Sequence, residues 1–331
     1  MLQMRLVAAD RPLEPAEADP GAPGPGRIRL RVCACGVCRT DLHICDGDLP
    51  LRGSPRVPGH EVVGVIEALG EGVTGLEPGQ RVGVPWLART CGACRYCRAG
   101  MENLCETPDF TGWTVDGGYA EAMIAWAEAA LPIPDVYGDA EAAPLLCAGL
   151  IGYRSWRMAG EAAGVVEALG LYGFGAAAHL LAQLAIARGQ RVFAFVRPGD
   201  EAAAAFALQL GCAWAGGSDE AAPEPLDAAI IFAPDGALVP QALKAVRKGG
   251  AVVCGGIHMS DIPAFPYDLL WGERKLLSVA NLQRRDGREY LPLAAAAGVR
   301  PHVTLFPLAQ ANAALDAVRH GRLVGAAVLT P

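Results

Sequence analysis

The sequence predicts an α/β protein in two domains, a doubly wound parallel-sheet domain and a β-rich domain. Three observations carry that prediction. The chain has 331 residues, and a single hydrophobic core stops growing at roughly 250–300 residues. Up to Gly149 it is rich in Gly, Pro and short alternating runs. From Ile151 to Asn281, Ala-rich helical stretches alternate with short apolar strands.

In the first segment, RIRLRVCACGV (Arg27–Val37) and EVVGVIEAL (Glu61–Leu69) carry Val and Ile at strand spacing. Turns such as EPGQ (Glu77–Gln80) separate such runs, as expected of a β-rich domain. In the second segment the strands are ALGLYG, RVFAFV, AAIIFA, GAVVCGG and KLLSVA. Their alternation with helices reads as βαβ units of the Rossmann type. The last portion, Leu282 to Pro331, contains a helix and the closing strand VGAAVLT, and is expected to return to the first domain. The boundaries are therefore 1–149 with 282–331, and 150–281. No internal repeat is visible.

Hydrophobic residues make up 52% and charged residues 19%, the balance of a globular chain. A formal charge of −7 argues against a nucleic-acid partner, which calls for a basic face. Ala168 to Ala187 has the length of a membrane span, about 20 residues. Its internal glycines, His179 and Gln183 fit a strand, turn and helix better. The opening MLQMRLVAADRP has no apolar run of signal-peptide length, so a cytoplasmic location is expected. There are 11 cysteines. An odd count without a secretion signal favours metal binding over a disulfide framework.

The strongest motif is CGACRYCRAGMENLC, with Cys91, Cys94, Cys97 and Cys105 in a C-x2-C-x2-C-x7-C pattern. Four thiolates satisfy tetrahedral zinc and leave no open position, so that role is structural. An iron–sulfur cluster is the alternative use of four cysteines. Upstream stand CGVCRTDLH and PGHE, and much later LLCAG. Cys38, His60 and Cys147 would make a Cys2His site, three ligands with an open fourth position. On the residues alone, His60 after Pro-Gly also fits a turn and Cys147 also fits an apolar core.

These segments resemble the zinc-containing medium-chain dehydrogenase/reductase family, and within it the microbial alcohol dehydrogenases. The Cys38 region, GHE, the four-cysteine lobe, GGYAE (Gly117–Glu121), LLCAG and the dinucleotide turn stand in family order. The resemblance implies a GroES-like catalytic domain beside the Rossmann domain. It implies catalytic zinc on Cys38, His60 and Cys147, and structural zinc on the four-cysteine lobe. Glu61 matches an acid that can approach the metal, and Asp41 the carboxylate that orients the liganding histidine. Thr40 and His43 match a proton relay, needed because an alcohol giving up hydride from a dry pocket must also lose its hydroxyl proton. Arg39 matches a cation for the cofactor pyrophosphate. Trp86 matches a bulky wall of the substrate pocket, with a core tryptophan as the alternative.

ALGLYGFGAAAHLL places Gly173, Phe174 and Gly175 between a strand and a helix, with Ala178 in the third position of G-x-G-x-x-A. Such a turn lets a pyrophosphate approach a helix N-terminus. NAD enzymes usually carry an acid at the end of the next strand. Here Val196 takes that place and Arg197 follows. An arginine can pair with a 2′-phosphate, so NADP(H) is expected over NAD(H). Asp200 and Glu201 lie close enough in sequence to serve NAD instead. Ile151 and Ala326 depart from the Thr and Arg common in the family at those places. The expected activity is reversible hydride transfer between a small primary or secondary alcohol and NAD(P)+, giving aldehyde or ketone. A zinc-dependent aldehyde or carbonyl reductase and a non-catalytic NAD(P)H-binding sensor are the alternatives. The expected assembly, from the resemblance, is a homodimer or homotetramer with two zinc ions per chain, and no nucleic acid or membrane partner.

Overall fold

The computed structural model describes residues Met1–Pro331. One compact unit comprises Met1–Ala148, Asn281–Ala295 and Pro301–Pro331; the other comprises Gly149–Ala280 and Ala296–Arg300. Residues 296–300, expected with the first domain, thus group with the second unit. The cause is local. The Gln183 amide donates to Arg300 O at 3.0 Å and accepts from Arg300 N–H at 2.8 Å.

The first unit is built on the strand Arg27–Val37. Its outer half alternates, with Ile28, Leu30 and Val32 buried and Arg27 and Arg31 exposed. That period of two is what a sheet with one wet face requires. Its inner half, Ala34 to Val37, is buried throughout. The strand pairs antiparallel with Glu61–Leu69, Ala326–Thr330 and Ala122–Trp126. Antiparallel pairing brings the end of one strand to the start of the other, with Gly36 opposite Glu61. Cys38 and His60 therefore emerge at the same end of the sheet.

The second unit is a six-stranded parallel sheet. In space the order is Trp214–Gly217, Arg191–Val196, Ala168–Tyr172, Leu226–Ile231, Val246–Cys254, Lys275–Ser278. That is the 3-2-1-4-5-6 order of a doubly wound dinucleotide fold. Both faces are covered. Leu169, Leu171, Val192 and Ile230 pack with Leu181 and Ala185 of the helix Ala176–Ala187. Ala168, Tyr172, Phe193 and Ile231 pack with Val239 and Leu243 of the helix Leu238–Ala245. The strand Trp214–Gly217 escaped the sequence reading because WAGG has no apolar run.

The Ala168 to Ala187 stretch is a strand and a helix separated by the glycine turn. No helix is long and apolar enough to cross a membrane. The last portion holds two helices, Arg284–Ala296 and Ala311–Arg319, where the sequence indicated one. Pro292 inside the first of these disguises it, since proline ordinarily interrupts a helix.

Candidate active site and metal centres

Cys38 ends the extended backbone and caps the helix Arg39–Cys45. Asp41, in the first turn, turns back so that Cys38 N–H donates to its Oδ2 at 2.8 Å. The same Oδ2 accepts from the Tyr119 hydroxyl at 3.1 Å. Its Oδ1 lies 3.0 Å from His60 Nδ1. Asp41 is fully buried, as are His60 and Tyr119. Three donors on one carboxylate compensate for burying it.

With Nδ1 engaged, His60 Nε2 is buried and has no protein hydrogen-bond partner. Beside it, Cys38 Sγ and Cys147 Sγ are 3.8 Å apart. The donor atoms of Cys38, His60, Glu61 and Cys147 all lie within 4.8 Å of one another. Two thiolates on tetrahedral zinc at 2.3 Å would stand about 3.8 Å apart. The Cys147 thiol holds the Cys38 thiol well below its ordinary range. Burial, and then the Cys38 sulfur, push the Glu61 carboxyl well up. Burial alone would depress the His60 ring, but the Asp41 carboxylate more than reverses that and raises it.

Room for Glu61 comes from Gly36. A Cβ built there would fall on the Glu61 carboxylate. Thr40 is buried, with its hydroxyl 3.7 Å from Cys38 Sγ. His43, one turn on, is partly exposed, and its Nδ1 lies 2.7 Å from Asp48 Oδ2. Arg39 is exposed at the start of the same helix. Trp86 is half-buried, its ring centroid 4.9 Å from that of His60.

The four-cysteine lobe is wound by backbone N–H groups donating to sulfur. Cys94 N–H reaches Cys91 Sγ at 3.3 Å, and Cys91 N–H reaches Cys105 Sγ at 3.3 Å. The N–H groups of Ala93 and Cys94 hold the Cys91 thiol down at about 6. Cys97 Sγ lies 3.5 Å from Cys94 Sγ and 3.9 Å from Cys91 Sγ. All four sulfurs lie within 4.8 Å of one another. This is a converging thiol cluster, not four cysteines that happen to share a core.

In the second unit, the turn after Ala168–Tyr172 contains Gly173 at φ +87°, where a Cβ would strike the Ala233 backbone. Gly175 caps the helix Ala176–Ala187, and a Cβ there would meet nothing within 4 Å. Phe174 packs edge-on to Phe206 at 6.2 Å, and Ala178 is fully buried. Val196 is buried at the end of its strand and Arg197 is exposed. Asp200 is occupied as a helix cap, accepting from Ala203 N–H at 3.0 Å. Ile151 lies in the helix Ala148–Ala163, and Ala326 is buried at the start of the closing strand.

Nothing in the sequence alone gives a role to Tyr119, Gly36, Asp48, Phe110 or Trp113. Tyr119 sat inside the quoted GGYAE motif and Gly36 inside CGVC, so each had a signal without a mechanism. Asp48, Phe110 and Trp113 had none.

Residues 24–135 match the family model of the alcohol dehydrogenase GroES-like domain. The chain is 45% identical to a probable alcohol dehydrogenase AdhA of Mycobacterium tuberculosis, over 96% of this chain and 92% of that one. It superposes on the cobalt- and zinc-bound thermostable alcohol dehydrogenase from Pyrobaculum aerophilum with a TM-score of 0.89, at 25% identity, covering 100% and 99% of the two chains. An acetophenone reductase from Geotrichum candidum, solved with NAD, gives a TM-score of 0.87 at 28% identity, covering 100% and 97%. The chain belongs to the zinc-type medium-chain alcohol dehydrogenase family. It is an oxidoreductase that interconverts alcohols with aldehydes or ketones using a nicotinamide cofactor.

Proposed function

We propose that Cys38, His60 and Cys147 hold a catalytic zinc ion and that Cys91, Cys94, Cys97 and Cys105 hold a structural one. The observation that carries the first assignment is the buried, unpartnered His60 Nε2 beside two thiols, with Nδ1 locked by Asp41. Close convergence of the four sulfurs supports the second. Thiolates on a multi-iron cluster bind separate irons and stand further apart.

When bound, zinc supplies a positive charge that polarises the substrate oxygen, and the nicotinamide supplies the acceptor or donor of hydride. The chain's own residues do the rest. Asp41 fixes the His60 tautomer so that Nε2 presents its lone pair. Thr40 Oγ1, buried next to Cys38, takes the hydroxyl proton. His43, partly exposed and held on Asp48, passes it to water. Trp86 walls the substrate side. Glu61, whose donor oxygen lies within 4.8 Å of the donor atoms of Cys38, His60 and Cys147, is a reserve ligand.

The Gly173–Phe174–Gly175 turn would hold the cofactor's pyrophosphate, and Arg39 would supply a cation for it. The preference is for NADP(H). Val196 offers no acid, Arg197 is exposed, and one oxygen of Asp200 already accepts from Ala203 N–H. The domain roles follow: 1–149 with 282–331 catalytic, 150–281 dinucleotide-binding. A homodimer or homotetramer in the cytoplasm completes the reading, testable by light scattering. Likeness to the acetophenone reductase favours carbonyl reduction as a second reading of the working direction. Initial rates on small alcohols and aldehydes, with NAD(H) and NADP(H) and with and without chelator, test the proposal. Turnover that persists after complete zinc removal would overturn it.

A further inference from the structure

His43 is the outward end of the proposed proton path, and its ring is held by the turn that follows its own helix. It lies in the helix Arg39–Cys45, and Asp48 Oδ2, just beyond the helix end, is 2.7 Å from its Nδ1. A carboxylate can only accept, so Nδ1 carries the ring proton and Nε2 keeps its lone pair. Nε2 is then the atom that gains the relayed proton and gives it to water, which returns the ring to its neutral form.

The turn is Asp46–Gly47–Asp48. Asp46 caps the C-terminus of the helix, its N–H donating to Leu42 O at 2.7 Å. Gly47 has a φ of +81°, the left-handed conformation that closes a helix and reverses the chain. Leu49 N–H comes back to His43 O at 3.0 Å. This closed turn sets Asp48 against the His43 ring. The charge on Asp46 works against it, because a helix C-terminus carries negative partial charge.

Arg319 answers that repulsion from 273 positions away. Its Nη1 and Nη2 donate to Asp46 Oδ2 and Oδ1 at 2.5 and 2.6 Å. A two-pronged guanidinium–carboxylate pair fixes direction as well as distance. Arg319 ends the helix Ala311–Arg319, where a cation is favoured. Ala311, Ala314 and Leu315 of that helix share one buried cluster with Leu42, Ile44 and Cys45. The fork therefore projects from a packed helix onto the turn.

We propose that Arg319, through Asp46 and the turn to Asp48, is a positioning residue that holds the His43 ring for proton release. This rests on the reading of His43 as the outward end of the proton path.

The test measures the single-turnover rate of 1-butanol oxidation at saturating cofactor, where product release does not mask the proton step. His43→Gln should lower the rate by roughly tenfold or more. Arg319→Met keeps the stem and removes the fork, and should lower the rate about two- to fivefold, the bias that one well-aligned exposed ion pair can give. Two readouts separate positioning from general loosening. Added Tris base, at fixed pH and ionic strength, can carry the proton in place of His43 and should restore the rate of both variants. In the His43→Gln background, Arg319→Met should cost nothing further, because residues that act through one another are not additive. A wild-type rate in Arg319→Met, a loss that Tris does not restore, or a loss that persists in full beside His43→Gln would overturn the role of Arg319 and leave the proton path standing. If His43→Gln itself oxidises 1-butanol at the wild-type rate, the proton path fails and the role of Arg319 falls with it.

Discussion

Replacing Asp41 with asparagine changes one atom and should invert the chemistry of His60. Asp41 Oδ2 accepts from Cys38 N–H and Tyr119 O–H, and Oδ1 faces His60 Nδ1. A backbone N–H can only donate, so the asparagine oxygen must take the Oδ2 place. Its NH2 then faces His60 Nδ1, which must become an acceptor. The ring proton moves to Nε2, the nitrogen that lacks a protein partner, and a protonated Nε2 cannot ligate. Loss of such a supporting partner typically lowers metal affinity 10- to 100-fold, or about 1.4–2.8 kcal/mol. Tyr119→Phe removes one donor without touching the tautomer and should cost less. Affinity is read by competition with a chromophoric chelator at fixed pH, with circular dichroism confirming the fold. Zinc affinity for Asp41→Asn within twofold of wild type, with kcat unchanged, would refute the tautomer argument.

Three further outcomes are expected. Gly36→Ala drives a methyl group into the buried Glu61 carboxylate and should destabilise by about 1–3 kcal/mol, the usual cost of overpacking; an unchanged Tm would show that Glu61 moves freely. Arg197→Ala should raise KM for NADP(H) and affect NAD(H) little, since a lost charged hydrogen bond costs about 1.5–3 kcal/mol, roughly ten- to a hundredfold; an unchanged cofactor ratio would make Arg197 a plain surface residue. The third concerns Asp227. Burial alone would raise its carboxyl, but the Ala168 and Glu167 N–H groups and Arg247 outweigh it and hold it below the ordinary range. A depressed carboxyl stabilises the fold above its unfolded value of about 4 and loses that contribution as pH falls through the folded value. Asp227→Asn should therefore lower Tm at pH 7 and flatten its decline below pH 4, as scanning calorimetry would show.

What the sequence makes legible here is whatever is periodic or contiguous. The alternation in Arg27–Val37 announces a strand with one wet face, and the G-x-G turn after ALGLY announces a dinucleotide-binding unit. The spacing of Cys91, Cys94, Cys97 and Cys105 announces a metal lobe because its donors are close along the chain. Cys38, His60 and Cys147 are far apart along the chain, and in the sequence only the family resemblance joins them; the register of Gly36 with Glu61 brings Cys38 and His60 to one end of the sheet, and Cys147 Sγ comes within 3.8 Å of Cys38 Sγ. Tyr119 could not be assigned, because nothing local says that its hydroxyl reaches a carboxylate 78 positions away. Nor does any local pattern say that the rings of Trp86, Phe110 and Trp113 stack together. The same limit applies to Asp200. No local pattern says that its Oδ1 accepts from Ala203 N–H at the start of the next helix.

Metal content tests the central claim most directly. Elemental analysis of the purified protein should find zinc at both donor clusters, two ions per chain. Cys147→Ala should carry only one and lose nearly all turnover. Cys97→Ala should loosen the lobe from Cys91 to Cys105 while the ion at Cys38, His60 and Cys147 is retained. A single zinc in the wild type, or a Cys147→Ala variant that keeps both ions and its activity, would contradict the account.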